Sequence, residues 1–354
     1  MSESCRVIFA TLMKLENDLI VRAANGEKTE RAPVWVMRQA GRILSEYRAT
    51  RAQAGSFKNL LMNPKLAAEV TIQPVDILGV DAAILFSDIL VIPEAMGLPY
   101  RMDEGKGPSF DQVISSQADL DKLSTDHIVE NLHYVFETIG KIKTDLKGRV
   151  PLIGFAGAPW TIFCYMVEGC GSKTFSASRA MLMRDPQLAH ALLSKITDAT
   201  IKYLQKQVEL GCDMLQLFDS WAGILSKDTY NTFALPYIQQ ICEKVNSVPL
   251  TVFAKGASFS LEEMGQLPCA TIGLDWHTEP GFARQAVGPN KTLQGNLDPA
   301  VLYGSDDHVR RETIKMLEKF GPGRYIANLG HGVYPDIDHK KLQIFIQTIQ
   351  EHQY

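Results

Sequence analysis

The sequence predicts an α/β protein, built as a single (β/α)8 TIM barrel over residues 1–354 with an N-terminal helical extension and an insertion after the second strand. Three observations carry this expectation. Eight short apolar runs recur along the chain, each followed by a polar or glycine-rich stretch and then a helical segment. No glycine/serine linker, low-complexity tract or fixed-period repeat divides the chain. The excess over the ~250 residues of a plain barrel is what one extra helix and one insertion would hold.

The apolar runs fall at residues 33–37, 82–86, 151–155, 214–218, 250–253, 270–274, 292–294 and 325–328. All are rich in β-branched or aromatic types, as strands buried on both faces are. Asn63-Pro64 opens a helix reaching about residue 78, with proline at its first position. Asp185-Pro186 opens another, reaching about residue 210, where Gly211 stops it. A third runs from Ser305 to Lys319 and ends at Gly321-Pro322-Gly323. Asp338 begins the last, whose Leu342, Ile344, Phe345 and Ile349 form an apolar stripe. The extension is a helix near residues 7–22, and the insertion spans about 98–148. A doubly wound sheet is the competing architecture. The barrel fits better because polar residues follow nearly every strand instead of gathering at one switch point.

Composition excludes several classes of function. With 45% hydrophobic residues and 36 basic against 40 acidic side chains, a net charge of −4, the chain is neither disordered nor a broad nucleic-acid binder. No apolar run is long enough to span a membrane. The first thirty residues, with Glu16, Asp18, Glu27 and Glu30, lack a signal-peptide core and are too acidic for a transit peptide. The six cysteines form no CxxC pair and mostly lie in apolar segments, so reduced, buried thiols and a cytoplasmic location are expected.

Chemistry concentrates just after the strands, which in a barrel is the C-terminal face where active sites sit. The first run leads into Arg38, Arg42, Arg48 and Arg51, four guanidinium groups within fourteen residues of an acidic chain. Such a cluster suits a carboxylate or phosphate ligand, although Arg48 reads equally as part of a solvated helix face. Asp88 follows the second run, where an unpaired charge is costly unless a ligand meets it; its bland alternative is a helix cap. Asp219 is comparable by position, and its neighbour Ser220 could cap the next helix. His331 stands between Gly330 and Gly332, which suits a ligand-facing loop. Lys255, after the fifth run, could form a Schiff base with a carbonyl but reads better as a structural ion-pair partner. No HxxxH, HExxH or HxC spacing occurs, so no metal site is expected, and neither a P-loop nor a GxSxG elbow is found.

The stretches 33–42 (PVWVMRQAGR) and 154–161 (GFAGAPWT), followed by Tyr165, resemble the two signature motifs of the uroporphyrinogen decarboxylase family. The resemblance continues in order through Phe86-Ser87-Asp88, Gly105-Lys106-Gly107-Pro108, Gly273-Leu274-Asp275-Trp276, Gln294-Gly295-Asn296 and Leu329-Gly330-His331-Gly332, covering nearly the whole chain. It implies a (β/α)8 barrel that converts uroporphyrinogen III to coproporphyrinogen III, removing four acetate carboxylates as CO2 without metal or organic cofactor, and that works as a homodimer. Carried over by residue, it implies substrate contacts at Arg38, Ala40, Arg42, Arg51, Asp88, Tyr165, Ser220 and His331. Of these, Arg38 would be the proton donor and Asp88 the electrostatic anchor, with Tyr165 and His331 completing the catalytic set. Ile43 and Ser45 depart from the family's usual Tyr and Pro, Ile162 from Leu or Val, and Asp219-Ser220-Trp221 from a common Glu-Ser-His. Two other functions compete: a methyltransferase of related fold, which needs a zinc-thiolate site, and a tetrapyrrole-binding scaffold without turnover.

Overall fold

The structure, a computed structural model describing residues 14–103, 105 and 107–354, contains nine strands among those residues. They are β1 (Ala83–Ile84), β2 (Tyr100–Asp103), β3 (Gly107–Phe110), β4 (Leu152–Gly157), β5 (Met214–Asp219), β6 (Leu250–Ala254), β7 (Thr271–Gly273), β8 (Thr292–Leu297) and β9 (Tyr325–Leu329). Seven form one parallel sheet in the order β1-β4-β5-β6-β7-β8-β9, while β2 and β3 pair as an antiparallel hairpin. Register runs, for example, Ile153 to Met214 and Leu293 to Tyr325. The sheet strands are buried almost throughout, so their sequences are continuous apolar runs rather than alternating ones.

The first predicted run, 33–37, is not a strand of this sheet. It makes a single parallel bridge, Val34 to Ala327 in β9, and on its other side the Asp81 N–H donates to the Val34 carbonyl at 2.8 Å. The physical reason is where its own N–H groups go. Pro33 has none; Val34 donates to the Asp81 carboxylate (2.8 Å), Val36 to the Gln39 amide (3.0 Å) and Met37 to the Asn328 side chain (3.1 Å). Only Trp35 donates to backbone, the Ala327 carbonyl at 3.4 Å; at Val34, Val36 and Met37 side chains replace the neighbouring backbone as acceptors, and the segment still lies between β9 and the entry to β1.

The helices follow their sequence signals. Pro64–Leu78 is capped by Asn63, which accepts the N–H groups of Lys65 and Leu66, and ends at Gly79 in the left-handed region. Pro186–Glu209, Asp306–Phe320 and His339–Glu351 start at Asp185, Ser305 and Asp338, whose side chains accept from Leu188, His308 and Lys340. The predicted helix near 7–22 lies partly outside the described residues; within them the first helix is Leu19–Ala24. Between β1 and β4 come the β2–β3 hairpin and the helix His133–Leu146, which packs on Pro64–Leu78. Among the described cysteines, Cys164, Cys212, Cys242 and Cys269 are buried, and Cys170 alone is exposed. Among the described residues, no helix is long and apolar enough to cross a membrane.

One buried carboxylate holds the start of the chain to this frame. Asp81, 1% exposed, accepts from Asn17 Nδ2, from both terminal nitrogens of Arg31, all at 2.7 Å, and from the Val34 N–H. Replacing it strands a half-buried guanidinium and a buried N–H. Asp81→Ala should lose about 3–5 kcal/mol in urea unfolding, and a loss below ~1 kcal/mol would show that these contacts do not anchor the segment.

Candidate active site

The turn after residue 36 sets the first functional group. The Gln39 side chain accepts from Val36 N–H and donates to the Ala82 carbonyl (2.9 Å), pinning the turn to the entry of β1. Val333 N–H donates to the Met37 carbonyl at 3.0 Å, tying the same turn to the loop that carries His331. Arg38, between these ties, adopts φ +67°, a conformation unfavourable for any side chain with a Cβ. Its stem crosses Gly332 so closely that a Cβ there would lie 2.2 Å from Arg38 Cδ. Gly330 serves the opposite wall: a Cβ there would lie 2.4 Å from the Trp276 backbone nitrogen. The two glycines flanking His331 thus admit two different neighbours.

Asp88 follows β1 on a turn closed by Leu90 N–H donating to its Oδ1 at 2.8 Å. Burial raises its pKa to about 6, against the opposing pull of Leu90 N–H and of the Tyr100 hydroxyl behind it. Tyr100 comes from β2, and its ring carries the Lys58 ammonium at 4.1 Å from the centroid, with Lys58 also paired to Glu94. Tyr165 lies on the helix Pro159–Glu168, which starts directly after β4. Its ring meets Phe175 and Trp221 edge-on at 5.9 and 6.3 Å. Burial raises its pKa, and it feels both Asp88 and Arg38.

The cationic groups act on one another and on shared neighbours. Tyr47, buried and raised by desolvation, senses Arg51 and Arg42. Desolvation lowers the pKa of Arg38, with Arg42 adding to the effect and Tyr165 opposing it. His331 senses Arg38 and Lys255, and these charges act with desolvation, the largest cause, to push its pKa down to about 3. Among the described residues, neither Arg38 nor Arg42 has a carboxylate partner. Aromatic rings surround the group: Phe155 meets Phe218 at 5.8 Å, Phe218 meets Phe253 at 6.3 Å, and Phe253 and Trp276 each approach the His331 ring to 6.3 Å.

The structure therefore brings Arg38, Arg42, Arg51, Asp88, Tyr165 and His331 into one electrostatic neighbourhood, with Ala40 and Ser220 half-buried in the adjoining turns. Asp219 is different. It is fully buried, accepts from the Thr161 hydroxyl at 2.7 Å and has its pKa raised by burial to about 7. Thr161 in turn accepts the Trp221 N–H, so this carboxyl braces the turn after β5 rather than facing a ligand. Arg48 folds back onto the carbonyl of Arg42 at 2.6 Å, which is a loop tie. Ile43 is buried in the core, and Ser45 is exposed at the start of the helix Ser45–Ala54, where its hydroxyl donates to Glu46. Lys255, expected in an ion pair, instead has its ammonium 5.5 Å from the Trp276 ring centre. Tyr47 and Tyr100 carry no signal of their own in the sequence, and Trp276 enters only as the last residue of the family-like stretch 273–276. Tyr47 stands four residues before Arg51, which could have signalled it; nothing in the sequence ties Tyr100 to Asp88.

A parallel α/β sheet that carries a desolvated carboxyl, several guanidinium groups and a buried imidazole in the segments after its strands defines an α/β enzyme. The family described as uroporphyrinogen decarboxylase (URO-D) matches residues 15–352, and the chain belongs to it. Proteins named uroporphyrinogen decarboxylase are 46% identical in Salinibacter ruber, over 97% of this chain and 98% of that one, and 47% identical in Homo sapiens, over 96% and 95%. Among solved structures, a methyltransferase from Methanosarcina mazei superimposes with a TM-score of 0.82 at 21% identity, covering 96% of this chain and 99% of that one. This similarity concerns the fold alone.

His331 offers a direct check of the cleft's polarity. With its folded pKa near 3 and an unfolded value near 6.5, only the unfolded chain takes up this proton between the two, so this group makes stability rise with pH across that window. In NMR titration its imidazole should stay neutral from pH 5 to 8; a midpoint near 6.5 would refute the desolvated setting.

Proposed function

We propose that this protein is a cofactor-independent carboxy-lyase that converts uroporphyrinogen III to coproporphyrinogen III, releasing four CO2. The observation that carries the proposal is Asp88, a carboxyl raised by burial to a pKa of about 6 and sharing Tyr165 as a neighbour with Arg38, which among the described residues has no carboxylate partner. An octacarboxylate macrocycle with four inward N–H donors is complementary to that arrangement: the guanidinium groups bind its periphery and one carboxylate accepts its centre. Segment 33–36 is then the eighth stave that closes a (β/α)8 barrel, the hairpin-bearing stretch after β1 is an insertion, and the chain is one catalytic domain. We further propose that it acts as a cytoplasmic homodimer on free tetrapyrroles, without nucleic acid.

Each decarboxylation consumes one proton and releases one CO2. A proton added to a pyrrole carbon makes the ring cationic. The acetate C–C bond then breaks, its electron pair flowing into that ring as CO2 leaves; protonation of the exocyclic carbon gives a methyl group, and loss of the first proton from the ring carbon restores the pyrrole, so one proton is consumed net. The pyrrole itself is the electron sink, so no cofactor is needed. Asp88 stabilises the developing ring cation in a cleft of low polarity, an effect typically worth about 3–4 kcal/mol. Arg38 supplies the proton: a guanidinium is a reluctant acid, with an ordinary pKa above ~12, and desolvation and Arg42 both loosen its hold. His331, held neutral, donates a hydrogen bond to a carboxylate instead of acting as the acid. Arg42, Arg51, Tyr165 and Ser220 bind and orient.

Incubation with uroporphyrinogen III under anaerobic conditions should yield coproporphyrinogen and four equivalents of CO2; binding without CO2 release would overturn the proposal. The ionised form of Asp88 is the active one, so kcat/KM should fall as pH drops through about 6. Asp88→Asn should fold, lose about 100–1000-fold in kcat and show no such limb, whereas Arg51→Lys should chiefly raise KM. An unchanged acid limb in Asp88→Asn would remove Asp88 from this role.

A further inference from the structure

One cationic side chain in the cleft has no part in the scheme above. Lys255 follows β6 on a turn fixed from three directions. Its N–H donates to the Asp219 carbonyl at 3.0 Å, its carbonyl accepts from Gly223 at 2.8 Å, and Gly256 N–H donates to the buried Asp275 carboxylate at 2.5 Å. Gly256 itself has φ +74°, and Gly223 packs so tightly that a Cβ there would lie 2.8 Å from Gly256 Cα. A flexible side chain is thus carried on a rigid base.

The ammonium is aimed at the site rather than at a structural partner. It lies 5.5 Å from the centre of Trp276, whose ring is 6.3 Å from His331. Among the described residues no carboxylate pairs with it, although the chain carries 40 acidic side chains. A lysine near an imidazole and over an aromatic face, in no ion pair among the described residues, is a prepared site for an anion brought by a ligand. Its effect on His331 agrees with that closeness.

We infer that Lys255 is a substrate-binding residue that holds one peripheral carboxylate of the macrocycle, extending the arc Arg51, Arg42, Arg38 beyond His331. This rests on the proposed decarboxylase function. A Schiff base has no place in it, because a carboxylated macrocycle offers no ketone or aldehyde carbon to attack.

The test compares wild type with Lys255→Met, which keeps the stem on Trp276, and Lys255→Arg, which keeps the charge. With uroporphyrinogen as probe, Lys255→Met should raise KM about tenfold or more, leave kcat within about threefold, and flatten the dependence of log KM on log salt. Lys255→Arg should recover most of the loss. A KM within twofold of wild type in Lys255→Met, or a fall in kcat alone, would overturn the inference. If wild type binds uroporphyrinogen without releasing CO2, the decarboxylase proposal fails. The lysine is then judged by the dissociation constants of the same three proteins, and equal values would overturn its role as well.

Discussion

The constraint on which this molecule depends is that opposite charges in the cleft are kept from neutralising one another. Asp88 is within electrostatic reach of Tyr165, which also senses Arg38, yet no ion pair joins that carboxylate to either Arg38 or Arg42 among the described residues. Left mobile, such groups would collapse into salt bridges and fill their own binding site. The backbone prevents it. Asp88 is committed to a turn with Leu90, and Arg38 is fixed between Gln39, Met37 and the glycine that admits its stem. Under the proposed function, the electrostatic energy forgone is available to a ligand that presents acceptors at its rim and donors at its centre.

The shared architecture with a methyltransferase shows how little the sheet decides about chemistry. A zinc-thiolate reaction needs several His, Cys, Asp or Glu side chains converging at the strand ends, and among the described residues no group of three such side chains does so. The segments after the strands here carry arginines, aromatic rings and separate carboxyls, Asp88, Asp219 and Asp275. The loops after the strands make that difference.

Much of the frame was legible because its signals are local. The helix from Pro64 has its cap at Asn63 and its stop at Gly79, all within one stretch of sequence. The buried strands announce themselves as short apolar runs. What could not be read depended on tertiary partners. Asp88 and Asp219 follow similar strands, yet one stands at the cleft and the other is locked to Thr161; only the packing of the neighbouring helix distinguishes them. The first run looked like an ordinary strand, and its N–H groups were claimed by Asp81, Gln39 and Asn328, residues 47, 3 and 291 positions away. Tyr100 influences Asp88 from a hairpin whose family-like stretch, 105–108, does not include it.

The left-handed backbone at Arg38 has a consequence for how this position can vary. Glycine would sit there with about 1–2 kcal/mol less steric penalty, so a chain selected for durability alone would drift toward it. A β-branched residue would be penalised twice, by its own backbone and by the crowding above Gly332. Tolerance at residue 38 should therefore run opposite to usefulness: the mildest replacement for the scaffold is the one that removes the working group entirely.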